Sequence, residues 1–422
     1  MLLRDPIHGD IELGSLESAV LDLPVMQRLR GIKQLGTAYL VYPGALHTRF
    51  DHSIGACAVA RRMVGALRRS GLAVDASFED AIGVAALLHD VTHVPFGHTL
   101  EDERRLFARH DKGARLQAMF AGELGESLDR LGIRPIVESL LGLPSTTCSP
   151  AWARDIVSGS IDADLLDYLR RDSFFTGLSQ SYDDRIFSCF AENDDRLVIR
   201  LARHGMDRPD ARSEIIGLLR LRYFLTERVY YHHTKVVAGA MISKAVEVAL
   251  DRGVLTESDL LALNDWTLLD RLTQSGVEDA VALAQRAQRR DLLKRGYVVS
   301  GVSVPPAERE QWVAQYHLSR AVRRQAEVEL ADELGLSFSE VVLYCPALSA
   351  MKEATVPVET TRGVEQLNDA GSTTAGEIDA LQARYADLWR FYLFVPPHAV
   401  KRASEACERR FGVPGELVLK QR

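Results

Sequence analysis

The stretch LLHDVTHVPFGH, residues 87–98, places three imidazoles and a carboxylate at the end of the apolar run 82–88. The polar residues are His89, Asp90, His93 and His98. Burying such groups without partners costs several kcal/mol each. Each group therefore needs a hydrogen-bond partner, or a positively charged ion lies among them.

The spacing of these residues suits metal binding. His89 and His93 are four residues apart, so on a continuing helix they would share one face. Asp90 adds an oxygen donor beside the nitrogen donor of His89, and mixed imidazole and carboxylate ligands suit zinc, iron, manganese and similar ions. These residues alone leave two interpretations open, a metal centre or a buried network of hydrogen-bonded histidines and aspartates.

Two other segments favour the metal centre. HTRFDHSIG (47–55) puts His52 at the start of a predicted helix, with Arg49 one turn earlier. SIDADLLDYLRRD (160–172) predicts a helix on which Asp164, Tyr168 and Asp172 recur every four residues. Side chains at that spacing project from one side of a helix, so these three are expected to line one surface.

Composition excludes several classes of protein. A chain of 422 residues with 46% hydrophobic and 26% charged residues is typical of a globular protein of two or three domains. A net charge of −7 gives no electrostatic reason to expect nucleic-acid binding, although a local cationic pocket could hold a small anion. The five cysteines are scattered, and neither a signal peptide nor a membrane span is evident, which predicts a cytoplasmic protein.

The pattern of apolar residues predicts a mainly α fold. We expect helices over most of the first 300 residues, including 162–172, 213–250, 258–273 and 277–295. Strands are predicted at 296–305, 340–348 and 388–397, and a flexible loop at 369–379. The predicted domains are a helical domain, 1–299, and a smaller α+β C-terminal region, 300–422.

The ordered motifs resemble a known family. His52, the pair His89–Asp90, and Asp164 are similar to the ligands of HD-domain metal-dependent phosphohydrolases. The segments DPIHGDIEL, QRLRGIKQLGTAYLVYPGALHTRFDHSIG, HDVTHVPFGH, DADLLDYLRRDSFFTG and RVYYHH resemble the deoxynucleoside triphosphate (dNTP) triphosphohydrolase branch, the branch with SAM and HD domains. The resemblance covers roughly residues 4 to 300 and implies an HD-domain helical fold.

The resemblance also implies roles for individual residues. The implied metal ligands, for a divalent ion such as Mn, Fe, Mg, Co, Ni or Zn, are His52, His89, Asp90 and Asp164. The implied catalytic residues are His98, with Glu101 and His110 behind it, and His93 in the phosphate channel. The implied substrate-binding residues are Arg49 and Arg222 for phosphate, Gln34 and Asp172 for the sugar 3′-hydroxyl, and Tyr168 and Tyr230 beside the ribose 2′ position.

The implied reaction is hydrolysis of a dNTP to a deoxynucleoside and inorganic triphosphate. One position departs from the family pattern, since Leu165 stands where a basic residue that contacts phosphate is expected. This departure favours an alternative, a nucleotidase or phosphodiesterase acting on another nucleotide phosphoester. A third interpretation is a nucleotide-sensing protein with a weak site.

A second group of residues matches a regulatory site. The matching residues are Asp22, Gln27, Arg30, Arg290 and Lys294, at positions that bind an activating guanine nucleotide between subunits. The resemblance thus implies a nucleotide activator and a homo-oligomer, either a dimer or a tetramer. The alternative is that the charges of DLPVMQRLR are structural, and the matching N-terminal lysine is absent because Met1 falls there.

Overall fold

The computed structural model of the chain describes residues 1–109, 113–348, 351–369 and 372–417, without the side chains of 352 and 372–374. Helices predominate, which confirms the predicted mainly α fold. The α-helices are α1 (Ser15–Leu21), α2 (Pro24–Gln27), α3 (Arg49–Arg69), α4 (Ala76–Leu88), α5 (Ala114–Phe120), α6 (Glu123–Arg130), α7 (Arg134–Leu140), α8 (Ala151–Ser158), α9 (Ala163–Thr176), α10 (Pro209–Leu225), α11 (His233–Asp251), α12 (Glu257–Ala262), α13 (Asp265–Thr273), α14 (Glu278–Gln288), α15 (Pro306–Trp312), α16 (Arg320–Leu334), α17 (Ser372–Ala386) and α18 (Val400–Phe411).

Strands and short helical turns connect these helices. The strands are β1 (Leu2–Asp5), β2 (Gly9–Glu12), β3 (Phe190–Asn193), β4 (Arg196–Arg200), β5 (Ala202–Arg203), β6 (Met206–Asp207), β7 (Lys294–Ser300), β8 (Val342–Tyr344), β9 (Pro357–Thr360), β10 (Gly363–Gln366) and β11 (Arg390–Val395). Turns of π-helix occur at Thr99–Glu103, Thr226–Tyr230 and Val313–Leu318. Turns of 3-10 helix occur at Arg28–Gly31, Gly36–Leu40, Asp184–Cys189, Phe338–Glu340, Lys352–Thr355, Leu367–Asp369 and Pro397–Ala399.

Three helices place the site, and polar caps define where each begins. Thr48 caps α3, since its hydroxyl accepts a hydrogen bond from the Asp51 amide while the Asp51 carboxylate accepts one from the Thr48 amide at 2.7 Å. Asp75 caps α4 and Asp162 caps α9 in the same way, through backbone amides three residues on. Such caps satisfy amides that the first turn of a helix leaves free.

Helices α3, α4 and α9 pack together through an apolar core. Val64, Leu87 and Leu166, one from each helix, are fully buried in the same cluster of hydrophobic side chains. Cores of this kind are packed as densely as organic crystals, so the helix ends have little freedom to move. The polar residues at these ends are therefore held in place by the core beneath them.

Two sheets involve the C-terminal region. Antiparallel strands β7, β11 and β8 form one sheet, in that order. These three strands overlap the predicted strands 296–305, 388–397 and 340–348, respectively. The other sheet has the order β10-β9-β4-β3, and β9 runs parallel to β4. This second sheet joins residues near 358 to residues near 199. The predicted domain boundary at 299/300 falls within β7 and stays a prediction.

Four local predictions are wrong. The predicted helix 258–273 is divided into α12 and α13, and the predicted helix 277–295 ends at Gln288, before β7 begins at Lys294. The predicted helix 213–250 is divided into α10 and α11 by the π-helical turn Thr226–Tyr230. The predicted loop 369–379 lies largely within α17, although residues 370 and 371 fall outside the described part of the chain. Ile378, Leu381 and Tyr385 of α17 are buried in the main core, so tertiary packing outweighs the weak helix propensity of the Gly, Ser and Thr residues at its start.

No helix within the described residues combines the length and the apolar character needed to cross a membrane.

Candidate active site

The ends of α3, α4 and α9 bring three potential metal ligands together. His52 lies in the first turn of α3, His89 directly follows α4, and Asp164 lies in the first turn of α9. His52 Nε2 lies 3.2 Å from His89 Nε2 and 2.9 Å from Asp164 Oδ1. His89 Nε2 lies 3.6 Å from Asp164 Oδ1, so the three donor atoms converge on one point.

The opposite ring nitrogens of the two histidines are held by hydrogen bonds. His52 Nδ1 donates to Asp167 Oδ2 at 2.7 Å, and His89 Nδ1 donates to the Ala86 carbonyl oxygen at 2.7 Å. Bonds of this kind fix the orientation of the ring and leave the lone pair of Nε2 for a metal ion. Both imidazoles therefore present Nε2 to the centre.

Asp167 is itself held by a buried network from the N-terminus of the chain. Its Oδ1 accepts from His8 Nε2 at 2.7 Å, and the Arg171 guanidinium bonds both of its oxygens at 2.8 and 2.9 Å. Arg171 also bonds Asp5 at 2.8 Å. Burial opposes ionisation of Asp167, but Arg171 and the hydrogen bonds from His52 and His8 hold its pKa well below the usual range. Asp167 is therefore an anion behind His52.

Asp90 faces the same centre but has other partners. Its carboxylate lies 3.6 Å from His52 Nε2 and 3.5 Å from His89 Nε2. Arg49 Nη1 donates to Asp90 Oδ2 at 2.5 Å, and His93 Nε2 lies 3.1 Å from Asp90 Oδ1. Burial opposes ionisation of this carboxyl, but Arg49, His89 and His93 hold its pKa well below the usual value.

The donor set fits a divalent metal ion. Burial lowers the pKa of His52, but its hydrogen bonds with Asp164 and Asp167 outweigh burial and raise that pKa to about 10. The surroundings of Nε2 thus stabilise positive charge, as a site for a cation must. Two imidazole nitrogens with one or two carboxylates are a donor set used by zinc, iron and manganese. His52, His89 and Asp164, with Asp90 adjacent, can hold such an ion.

A second cluster, His93, His98 and Glu101, lies beside the first. The rings of His93 and His98 are 4.7 Å apart, edge to face, and His98 Nδ1 lies 3.4 Å from Glu101 Oε2. Glu101 is buried in the π-helical turn and also accepts from Arg115 Nη1 at 2.8 Å. His98 is partly exposed, so it can meet a ligand while Glu101 orients its ring. His110, predicted to stand behind it, lies outside the described residues.

Gly97 allows this cluster to approach Arg49. Its φ is +59°, and a Cβ there would lie 2.9 Å from Arg49 Nη2. The preceding Phe96 also has a positive φ, 62°, and its amide donates to the buried Asp265 at 2.6 Å. The PFG segment is thus a tight turn that places the two histidines beside the arginine.

The third part of the site lies along α9. Asp172 accepts from His47 Nε2 at 2.8 Å and from the Tyr230 hydroxyl at 2.7 Å. Arg222 donates to the Tyr168 hydroxyl at 2.5 Å. Gln34 Oε1 is buried and has no hydrogen-bond partner among the described residues. The structure therefore brings together Tyr230 with Asp172 and Tyr168 with Arg222.

The residues predicted to bind an activating nucleotide lie near the surface. Asp22 is exposed, and Arg30 Nε donates to Gln27 Oε1 at 2.8 Å. Arg290 donates to the Leu40 carbonyl at 3.0 Å, and Lys294 begins β7. Nucleotide binding at these residues stays a prediction.

Several site residues were assigned no role from the sequence. They are Asp5, His8, His47, Asp167, Arg171 and Glu353. The unusual density of histidines in the first 110 residues includes His8 and His47, and Asp167 lies within the same acidic helix as Asp164. The density of histidines and the acidic helix could therefore have pointed to His8, His47 and Asp167. Nothing in the sequence around Glu353 points to the site.

The chain matches known families in two regions. Residues 49–172 match the HD domain, and residues 215–421 match the HD associated region. A solved structure of a phosphohydrolase from Bacteroides thetaiotaomicron superposes with a TM-score of 0.71 at 23% identity, covering 94% of this chain and 99% of that one. This likeness shows the shared fold.

Relatives of known and unknown activity are also similar. The chain is 30% identical over 413 residues to the uncharacterised protein MJ1154 of Methanocaldococcus jannaschii, covering 96% of this chain and 81% of the relative. It is 27% identical over 385 residues to the deoxynucleoside triphosphate triphosphohydrolase SAMHD1 of Bos taurus, and 30% identical over 283 residues to that of Homo sapiens. These matches cover 79% and 58% of this chain, and only 64% and 44% of the two relatives.

The helical fold and the converging histidines and aspartates define a phosphohydrolase with a site suited to a metal ion. With the two family matches and the similarity to MJ1154, the chain belongs to the HD-domain phosphohydrolase family. It is an enzyme, which agrees with the prediction from the sequence.

Proposed function

We propose that the protein hydrolyses deoxynucleoside triphosphates to a deoxynucleoside and inorganic triphosphate. The observation that carries this proposal is the order of side chains along one side of α9. Asp164 belongs to the proposed metal-ligand cluster, Tyr168 contacts Arg222, and Asp172 contacts Tyr230. Eight residues of helix rise about 12 Å, which accommodates a phosphate at one end and a sugar at the other.

The proposed chemistry needs charge neutralisation, a nucleophile and a proton donor. A divalent ion held by His52, His89, Asp90 and Asp164 would lower the pKa of its bound water toward about 7 and polarise a phosphoryl oxygen. Arg49 lies beside the cluster and is suited to a phosphate oxygen. His98, oriented by Glu101, is the group proposed to deliver a proton to the leaving 5′-oxygen, since imidazole exchanges protons near neutral pH.

Selection of the deoxy sugar is assigned to Tyr168 and Tyr230. Both hydroxyls are already bonded, to Arg222 and Asp172 respectively, so the two rings are held in place. A ring packed at C2′ would leave no room for a ribose hydroxyl. Gln34 and Asp172 are proposed to bind the 3′-hydroxyl. Gln34 Oε1 has no hydrogen-bond partner within the described part of the chain, which supports a polar ligand there.

A second candidate function is hydrolysis of a nucleotide with fewer phosphates. Leu165, which follows Asp164, is only 4% exposed and packs in the apolar core. No cation therefore stands at this position, where the resemblance leads one to expect a phosphate contact. This observation favours a nucleotidase over a triphosphohydrolase.

The deciding experiment is a panel of nucleotides with Mn²⁺, Mg²⁺, Fe²⁺ or Co²⁺, analysed by ion chromatography that separates inorganic triphosphate from orthophosphate. The leading proposal expects a deoxynucleoside and triphosphate in equal amounts from dNTPs. Orthophosphate from monophosphates, with little turnover of dNTPs, would support the second candidate and reject the first.

We also propose a homo-oligomer activated by a guanine nucleotide bound at Asp22, Gln27, Arg30, Arg290 and Lys294. The exposed positions of Asp22 and Arg30 support this proposal, because a nucleotide in solution can reach both side chains. Light scattering with and without dGTP should show a larger particle with the nucleotide. An unchanged molar mass, together with activity that does not depend on dGTP, would reject it.

A further inference from the structure

Glu353, from the C-terminal region, lies against Arg222, the arginine that the family resemblance assigns to phosphate binding. Its Oε1 is 2.8 Å from Arg222 Nη1, and the Glu353 side chain is 7% exposed. The same Arg222 nitrogen bonds the Tyr168 hydroxyl at 2.5 Å, and Tyr168 lies one turn after Asp164 on α9. Glu353 thus reaches the side of α9 on which the phosphates of a nucleotide are proposed to lie.

The second oxygen of this carboxylate is also informative. Glu353 Oε2 is buried and has no hydrogen-bond partner among the described residues. A carboxylate oxygen accepts hydrogen bonds, whereas an ionised phosphate oxygen has no hydrogen to donate. The two therefore repel each other, and the repulsion is strong where water is excluded.

The charge of Glu353 also acts on Tyr168, the ring of α9 that Arg222 contacts. For Tyr168, burial raises the pKa, and Glu353 raises it further while Arg222 opposes the rise. The carboxylate is therefore close enough to act on a charged group bound along this helix.

Three further cations among the described residues, beside Asp90 and the turn Thr99–Glu103, are also paired with carboxylates. Arg49 bonds Asp90, Arg115 bonds Glu101 at 2.8 Å, and Lys235 bonds Glu103 at 3.1 Å. Pairing with Glu353 neutralises Arg222 in the same way. Each additional phosphate brings further negative charge, so a site with its cations neutralised discriminates against long phosphate chains.

We propose that Glu353 is a specificity-determining residue that neutralises Arg222 and lowers the affinity of the site for the distal phosphates of a nucleotide. This inference rests on the proposed function, because it places a nucleotide along α9. The inference concerns the affinity for a triphosphate divided by the affinity for the matching monophosphate. Glu353 lowers this ratio.

The test replaces the charge while keeping the shape. In Glu353→Gln the amide oxygen still accepts a hydrogen bond from Arg222, but the negative charge is gone. Glu353→Asp retains the charge on a shorter side chain. The matched control is Glu377→Gln, which removes the negative charge beside Arg220. Arg220 is on α10, like Arg222, and the side chains of Arg220 and Glu377 are largely exposed and 3.0 Å apart.

Binding of dATP and dAMP is measured by calorimetry in EDTA, where only the protein's own cations act, and kcat/KM is measured with Mn²⁺. We expect Glu353→Gln to tighten dATP binding about tenfold, as a freed charge-assisted bond would, with at most about a threefold change for dAMP. Glu353→Asp and Glu377→Gln should leave the ratio of the two affinities within about twofold of the wild type.

Two results in a Glu353→Gln protein that melts like the wild type would overturn this inference and leave the proposed function standing. One is an equal change in affinity for dATP and dAMP, and the other is weaker binding of dATP. If Glu353→Gln does not fold, a Glu353→Asp protein whose ratio of dATP to dAMP affinity departs from that of the wild type by more than about twofold would overturn it. Failure of every protein to bind or hydrolyse either nucleotide would reject the proposed function, and the inference with it.

Discussion

Asp167 and His52 form a hydrogen bond of 2.7 Å between Oδ2 and Nδ1, and both side chains are fully buried. His8, near the start of the chain, also bonds Asp167. Asp167 therefore connects His8 to His52, a proposed metal ligand. A carboxylate in this position increases the basicity of the imidazole and fixes its orientation. The position of His52 Nε2 therefore depends on Asp167.

We expect Asp167→Asn to lower metal affinity about 10- to 100-fold, the range found when such supporting carboxylates are lost. The amide can still accept from one neighbour, but it no longer balances the charge of Arg171. Titration of the apoprotein with Mn²⁺ or Zn²⁺ measures the change. The control is Asp270→Asn, at an exposed position, and an affinity equal to that of the control would contradict the supporting role.

His89→Ala should remove most of the bound metal and the activity. The substitution deletes one of the three converging donor atoms, so His52 and Asp164, even with Asp90 beside them, should hold an ion much more weakly. Elemental analysis of purified protein gives the metal content per chain. His398→Ala, an exposed histidine, is the control. Unchanged metal content and activity in His89→Ala would show that the ion binds elsewhere.

Two substitutions of Tyr230 separate its ring from its hydroxyl. Tyr230→Phe loses the 2.7 Å bond to Asp172 but keeps the ring, so the preference for deoxyribonucleotides should persist. Tyr230→Ala removes the ring and should raise kcat/KM for a ribonucleotide relative to its deoxy counterpart by tenfold or more, about 1.4 kcal/mol. If the ratio of kcat/KM for the ribonucleotide to kcat/KM for the deoxyribonucleotide is the same in both variants, the Tyr230 ring does not select the sugar.

Leu165→Lys tests the length of the phosphate chain at the position that follows Asp164. If the substrate is a triphosphate, a charge-assisted contact worth roughly 1.5–3 kcal/mol should lower the KM for dNTPs several-fold. Leu165→Met, of similar volume, controls for the buried position. Weaker dNTP turnover in the lysine variant, with a monophosphate as the better substrate of the wild type, would reject the leading proposal.

Lys244 predicts a pH dependence of stability. Its Nζ is fully buried, 3.2 Å from Glu327 and 2.7 Å from the Phe338 carbonyl. Burial lowers the pKa of Lys244 from 10.5 to about 8, against the opposing effect of Glu327. Between pH 8 and 10.5 the unfolded chain therefore binds more protons at this residue, so its contribution to folding stability rises with pH.

Lys244→Met should remove that contribution. The stability of the wild type relative to the variant should increase between pH 8 and 10, by up to about 1.4 kcal/mol per pH unit. Urea unfolding at several pH values gives the free energy of unfolding of each protein. The contributions of other titrating groups cancel when the value for the variant is subtracted from that of the wild type. The exposed Lys401→Met serves as the control. A difference that stays constant with pH would show that Lys244 does not change its charge in this range.

The helices of the site were predictable because their signals are local. The helix predicted over 162–172 lies close to the observed α9, and the helix predicted to begin near His52 lies close to the observed α3. The predicted loop at 369–379 failed because its sequence lacks such a signal, while Ile378 and Leu381 gain their stability from distant parts of the core. Packing of this kind cannot be inferred from composition within a short window.

The sequence alone determined the donor types and their local order. His89 and Asp90 are adjacent, and Asp164, Tyr168 and Asp172 follow helical periodicity, because a helix fixes the relative positions of residues up to a few turns apart. Only the tertiary structure decided the pairing of Asp167 with His8 and of Arg222 with Glu353. A single carboxylate carries no local pattern that identifies its partner, so its role is set by the packing of segments distant in sequence.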